Sequence, residues 1–316
     1  MMKAYAVINK NESVRSMSSS GGVFTLLAEE ILRKNGVVFG AAFNDEMKVK
    51  HFCVKTESEL YKIRGAKYVQ SSLDGIYPEI KTLLEDGVPV LFTGTPCQNS
   101  GLKAYLGKEY DNLYCQDIVC HGVPMPTIWE KYKDYMRNKA GAEIKEISFR
   151  NKSSGWKRYS VVVAFKNGKI YKKRASEDVY MRAYLSDLCL RPACYNCQFK
   201  TLERQADVTL ADFWGIEKIA PEMDDDKGTS LVLVHSQKGA EMLSEISGRV
   251  KLQEVDPVQA IRCNQAAVKC ACKPDAADAF CNDIQENSFD KIVDKYVPKT
   301  NKIRKIIKKV VRMVKK

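Results

Sequence analysis

Over its first 125 residues the chain alternates between short apolar runs and longer amphipathic ones. Val23, Phe24, Leu26, Leu27, Ile31 and Leu32 recur at helical spacing after Ser18-Ser19-Ser20-Gly21-Gly22, and Gly36 supplies a helix stop. Val37–Phe43 then runs apolar throughout, the pattern of a buried strand. Residues 51–55 read as a second strand, with a helix from about residue 58, and residues 78–85 read as a helix ending at Asp86-Gly87. A short apolar strand over 88–93 leads through Gly94-Thr95-Pro96-Cys97 into another helix. A strand over 113–119 ends at Cys120-His121-Gly122. This alternation predicts an α/β fold with a mixed, largely parallel sheet. In such sheets ligands collect beyond the carboxyl ends of the strands, where the loops after Phe92 and Val119 each carry a cysteine.

From Glu143 the pattern changes. Strands are expected over 147–150, 159–165 and 170–173, with Lys166-Asn167-Gly168-Lys169 as a hairpin turn between the last two. A helix over 177–188, a cysteine-bearing loop over 189–200, strands over 208–213 and 230–235 and a helix from residue 237 complete the reading. The expected organisation is an α/β domain over 1–125, an α+β cluster-binding domain over 126–300 and a basic C-terminal helix over 301–316.

Composition narrows the function. With 316 residues, the chain is long enough for two domains. Residues 1–10 are too short and polar for a secretory signal, and no window approaches the ~18 apolar residues that span a bilayer, so a cytoplasmic location is expected. Eleven cysteines, an odd number, argue in that compartment for metal binding rather than disulfides. The net charge of +12 falls to +4 without residues 301–316, which hold eight Lys or Arg and no acid, so a nucleic-acid partner is not expected. In that tail Ile303, Ile306, Ile307, Val310, Met313 and Val314 form one helical stripe opposite the cations, as in helices that lie on anionic membrane surfaces.

The chemistry centres on Cys189-x4-Cys194-x2-Cys197, a spacing that brings sulfurs onto one tight loop. Cys97 and Cys120 join it from separate loops at one sheet edge. Thiolates gathered in this way suit a [4Fe–4S] cluster better than an autonomous zinc finger; a non-catalytic zinc-binding interaction module is the alternative. Residues 18–22 place small side chains before a helix, where backbone N–H groups and the helix dipole favour a phosphate. Arg64-Gly65-Ala66-Lys67-Tyr68 supplies two cations and an aromatic ring for a pyrophosphate and a flavin or adenine ring, or forms a solvated loop. His121, beside Cys120, is a candidate for proton delivery. Phe149-Arg150-x-Lys152-x-x-Gly155-Trp156 is a candidate pocket wall, with Lys152 as its reactive amine. Cys263, Cys270, Cys272 and Cys281 read as bystanders.

Taken in order, Ser19-Ser20-Gly21-Gly22, Arg64-x-x-Lys67-Tyr68, Gly94-Thr95-Pro96-Cys97-Gln98, Cys120-His121-Gly122, Cys194-x2-Cys197 and Ala206-Asp207-x4-Asp212-Phe213-Trp214-Gly215 resemble the coenzyme F-420 hydrogenase/dehydrogenase beta-subunit family. The resemblance implies an oxidoreductase with FAD and a [4Fe–4S] cluster. It implies Cys97, Cys120, Cys194 and Cys197 as ligands with Cys189 in reserve, and Ser19, Ser20, Gly21, Gly22, Arg64, Lys67, Tyr68, Thr95 and Gln98 around the flavin. Such proteins often carry an added ferredoxin-like domain with further cysteine clusters, which this sequence lacks. Electrons are therefore expected from a partner such as a ferredoxin. The Cys-His-Gly and Asp-Phe-Trp-Gly variants look like the bacterial branch found with polysaccharide biosynthesis, which implies a small-molecule or glycan-precursor substrate.

Overall fold

A computed structural model describes residues 2–297. The basic tail expected over 301–316 lies outside the described residues.

Among the described residues eleven strands form two sheets: β1 Lys3–Asn9, β2 Val37–Phe43, β3 Val49–Val54, β4 Val90–Thr93, β5 Leu113–Ile118, β6 Ile144–Asn151, β7 Ser160–Phe165, β8 Ile170–Arg174, β9 Val208–Asp212, β10 Ser230–Val234 and β11 Val250–Val255. The larger sheet has the order β11-β1-β10-β9-β5-β4-β2-β3. Its middle, β9-β5-β4-β2, is parallel, and the strands on either flank are antiparallel. The fold is the mixed α/β class that the sequence pattern predicts.

Alternation along each strand decides which face it serves. Val38, Leu91, Leu210 and Val232 pack under Leu26, Leu27 and Ile31 of the helix Val23–Arg33 and under Met242 and Leu243 of the helix Gln237–Glu245. Val37, Phe39, Val90, Phe92 and Leu113 face the other way, onto Ile76, Ile80 and Leu84 of Ile76–Glu85 and Leu102 and Leu106 of Pro96–Leu106. Both faces are thus covered, as a parallel sheet requires. The smaller sheet is an antiparallel meander, β6-β7-β8. Its core of Trp129, Tyr132, Phe149, Tyr180, Phe280 and Phe289 draws on the helices Pro126–Ala140, Val179–Leu185, Ala277–Glu286 and Phe289–Tyr296.

Two expectations change. A division at residue 125 does not follow the sheets, because β9, β10 and β11 return to the larger one. The helix expected from about residue 58 is a 3-10 turn, Glu57–Glu59, and a single α turn, Leu60–Ile63.

One edge of the larger sheet collects the loops of interest. β4 ends at Thr93, β5 at Ile118, β9 at Asp212 and β1 at Asn9, while antiparallel β10 begins at Ser230. The segments that follow Asn9, Thr93, Ile118 and Asp212 hold residues 18–22, Cys97, Cys120 and Trp214.

Candidate functional site

Cys97 sits in the first turn of Pro96–Leu106, where Thr95 and Gln98 form a reciprocal capping box. The Gln98 side-chain oxygen accepts from Thr95 N at 2.9 Å, and Thr95 Oγ1 lies 3.0 Å from Cys97 Sγ. Thr95 and Gln98 therefore shape the turn that carries Cys97.

Cys120 follows β5, and Cys194 lies on the short helical turn Pro192–Tyr195. The two loops are zipped together by hydrogen bonds from Met125 N to Cys189 O and from Arg191 N to Val123 O, 2.9 and 2.8 Å. Val123 N donates to Cys194 Sγ at 3.4 Å. Burial pushes the Cys120 thiol up to about 12; Lys200 opposes that shift, and the neighbouring sulfurs of Cys97, Cys194 and Cys197 add to it. Cys194 is raised for the same first reason, with Cys197 and Cys97 as its sulfur neighbours. Cys97, Cys120, Cys194 and Cys197 thus come, from three loops distant in sequence, near enough to feel one another's charge, although among the described residues no three His, Cys, Asp or Glu side chains are grouped closely enough to hold a single metal ion. Such mutual penalties are relieved when the sulfurs share bound cations, so the donor set fits an iron–sulfur cluster. Cys189 is buried and interacts with Cys281 and Asp187 instead of these four. It is a core residue, not a reserve ligand.

Cys270, read as a bystander, touches this group. Cys197 N donates to Cys270 Sγ at 3.2 Å, and Cys270 Sγ donates back to Cys197 O at 3.5 Å. Lys200, which sequence reasoning missed, donates to the carbonyls of Cys120, His121 and Ala266. Its signal was a cation three residues after Cys197.

The basic loop lies beside residues 18–22. Ala66 N donates to Ser19 Oγ at 2.7 Å, and Arg64 Nε donates to Thr25 Oγ1 at 3.0 Å. Lys67 Nζ reaches only carbonyls of its own loop, Arg64 O and Gly65 O, and burial pushes its ammonium down to about 7. A half-buried cation whose bonds go to neutral carbonyls is what an anionic ligand would compensate. The backbone there is open on one side: a Cβ at Gly65 would meet only Ser19 Oγ, at 3.9 Å. Helix Val23–Arg33 has no side-chain cap and no acid in its first turn. Ser19, Arg64 and Lys67 therefore fit an anionic cofactor. Tyr68 is packed between Phe149 and Tyr184, with ring centroids at 5.6 and 5.0 Å.

Gly21 has another purpose. A Cβ there would lie 2.3 Å from Val7 O and 2.7 Å from Ser230 N, so it is glycine because the loop packs on β1 and β10. Gly22 caps the helix at φ +83°, against Asn9 and Arg15. Ser20 Oγ donates to Thr229 O at 2.7 Å. These three hold the loop in place.

Of the two catalytic candidates, Lys152 is fully engaged. Its Nζ donates to Arg15 O, Ser20 O and Lys227 O at 2.6–2.8 Å, which uses all three ammonium protons and ties β6 to the 18–22 loop. It is a structural tie. His121 Nε2 lies 2.6 Å from Asp187 Oδ1, so this nitrogen carries a proton, and the ring packs edge-on to Tyr184 at 5.2 Å. Asp187, also missed from sequence, sits in the left-handed region at φ +59°. Arg150 pairs with Asp212 at 2.7 Å, and Trp156, which donates to the same carboxylate, stacks on Trp214 at 4.9 Å.

An α/β protein with a thiol group and a basic loop on one sheet edge has the parts of an electron-transfer oxidoreductase subunit. Residues 88–259 match the model of the C terminus of the coenzyme F420 hydrogenase/dehydrogenase beta subunit, and residues 4–76 match that of its N-terminal part. The chain belongs to this family, one of oxidoreductase subunits that an iron–sulfur centre fits. Among solved structures it is similar to a chain of the xenon-derivatised F420-reducing [NiFe] hydrogenase complex from Methanosarcina barkeri. The identity is 16%, the TM-score is 0.54, and the match covers 83% of this chain and 89% of that one. No curated protein matches. Among the described residues no helix is long and apolar enough to cross a membrane.

Proposed function

We propose that the chain is an electron-transferring oxidoreductase subunit that holds a [4Fe–4S] cluster on Cys97, Cys120, Cys194 and Cys197 and FAD beside Ser19, Arg64 and Lys67. It takes electrons from a partner protein and passes them to a substrate, for which the sequence resemblance points to polysaccharide biosynthesis. The observation that supports this reading is that Cys97, Cys194 and Cys197 bear on Cys120 across three separate loops, with the Cys120 and Cys194 loops tied by backbone hydrogen bonds. Bound cluster and flavin supply one-electron transfer and its coupling to two-electron chemistry. The chain's residues do the rest. The helix N-terminus and Thr95 present Cys97, Lys200 is held beside the half-buried Cys120, and Lys67 and Arg64 offer positive charge to a phosphate. His121 holds a proton at Nε2 against Asp187.

Anaerobically purified protein is expected to contain about four iron and four sulfide per chain, from the stoichiometry of such a cluster, together with bound flavin. Cys194→Ser and Cys120→Ser are expected to lose the iron, whereas Cys189→Ser keeps it. Stoichiometric zinc under strictly anaerobic handling would overturn the proposal in favour of a zinc-binding module.

A further inference from the structure

The turn that carries Cys194 and Cys197 ends in a cation, and none of its hydrogen-bond partners among the described residues is a carboxylate. Lys200 Nζ donates to Cys120 O, to Ala266 O at 2.8 Å and to His121 O at 3.4 Å. These carbonyls come from the loop after β5 and from the segment after the helix Pro257–Arg262. Three carbonyls take up the three ammonium protons, but they do not cancel the charge. They fix it beside Cys120, the half-buried cysteine at the end of β5.

Other charges near the thiols are differently placed. Arg191, which acts on Cys194, is exposed and therefore screened by solvent. Arg204 is neutralised by Asp117, 3.4 Å away and equally buried. Asp187 is engaged by His121. Lys200 is thus the fixed cation that faces Cys120, and its field favours negative charge there. The same segment is pinned a second time, where Cys270 closes on both sides of the Cys197 peptide.

We propose that Lys200 is the built-in counter-charge of the iron–sulfur centre: a positioning residue that joins the Cys120 loop to the 263–272 segment and raises the centre's reduction potential. The proposal rests on the function argued above. The step concerned is the gain of one electron by the centre, with no bond made or broken. A fixed positive charge stabilises the more negative, reduced form, and net charge and hydrogen bonding are among the factors that set such potentials.

The test compares wild type, Lys200→Gln and Lys200→Arg, each purified anaerobically and titrated with dithionite while the visible and EPR signals are followed. Lys200→Gln keeps donors for the carbonyls and removes the charge. It is expected to retain iron and to be harder to reduce by tenfold or more, about 59 mV or more for a one-electron couple. Lys200→Arg keeps the charge and is expected to shift by less than half as much. A glutamine variant with the wild-type potential overturns the proposal, as does an arginine variant that shifts as far as glutamine or a loss of iron in both. Loss of iron with glutamine alone, reversed by arginine, supports it by showing that the charge is needed to assemble the thiolates. Wild type without iron overturns the function itself and is recognised before any variant is compared.

Discussion

His51 shows how a single buried side chain fixes the edge on which the site is built. It is 4% exposed, stacks on Phe92 at 5.3 Å and bridges Ser71 Oγ at 2.7 Å and Thr93 O at 2.9 Å. A carbonyl only accepts, so Nε2 carries the proton and Nδ1 faces the Ser71 hydroxyl. Burial, reinforced by the Lys67 ammonium, pushes the ring down from 6.5 to about 4. Between those values the unfolded chain binds a proton that the folded one does not. The resulting stability is complete above pH 6.5 and is lost as the pH falls towards 4, a difference of about 3 kcal/mol at 1.36 kcal/mol per unit. Asp117, raised by burial to about 6, acts in the opposite sense, and His235, lowered to about 4, acts in the same sense. Both cancel when wild type is compared with His51→Gln by urea denaturation across pH 4–8. The wild-type advantage is expected to be flat above pH 6.5 and to shrink by about 3 kcal/mol towards pH 4. A pH-independent advantage would show that the ring is not held neutral.

At the scale of elements, two glycines that look alike in sequence separate cleanly. Gly21→Ala drives a methyl into Val7 O and the Ser230 backbone, which cannot give way without moving β1 or β10. Overpacking of this kind costs about 1–3 kcal/mol, and a lower thermal midpoint is expected. Gly65→Ala meets open space and costs only the left-handed conformation at φ +84°, about 1–2 kcal/mol. It is expected to stay folded and to weaken flavin retention, measured by fluorescence of released flavin. Equal flavin loss in both, at matched stability, would place the phosphate at Gly21 after all. The contrast explains what sequence reveals. Val37–Phe43 is read to the residue because a strand buried on both faces is apolar throughout. β1 is missed because its Lys-Ala-Tyr-Ala-Val-Ile-Asn pattern borrows its burial from β10 and β11, more than 200 residues away. The helix Pro126–Ala140 is missed although Ile128, Trp129, Tyr132, Met136 and Ala140 mark its stripe, with proline first and Gly141 last. Cys97, Cys120, Cys194 and Cys197 are legible as thiols in loops. Cys270 and Lys200 are not, because their contacts are made by a segment without regular spacing.

Across the whole molecule, the thiol group sits where regular structure is thinnest. The larger sheet has independent apolar cores on both faces, and the smaller sheet has its own aromatic core. Between them, residues 120–125, 189–200 and 263–272 contain no strand longer than the Pro124–Leu190 bridge. They are held by a few backbone bonds, the Lys200 contacts and the Cys197–Cys270 pair. A centre bound to two of these segments, through Cys120, Cys194 and Cys197, stabilises the state that binds it, and Lys200 and Cys270 tie the third to them. Because the cores do not depend on it, the opening that follows its removal is local. The full chain, compared iron-loaded and after anaerobic chelation, is therefore expected to lose amide protection in 120–125, 189–200 and 263–272. Protection in β2 and β10, whose backbones are paired on both sides and buried, should change little. Hydrogen exchange read by mass spectrometry distinguishes the outcomes. Uniform loss across the chain would mean that the centre holds the whole fold together, and unchanged protection near Cys120 would mean that the thiols are preformed without it.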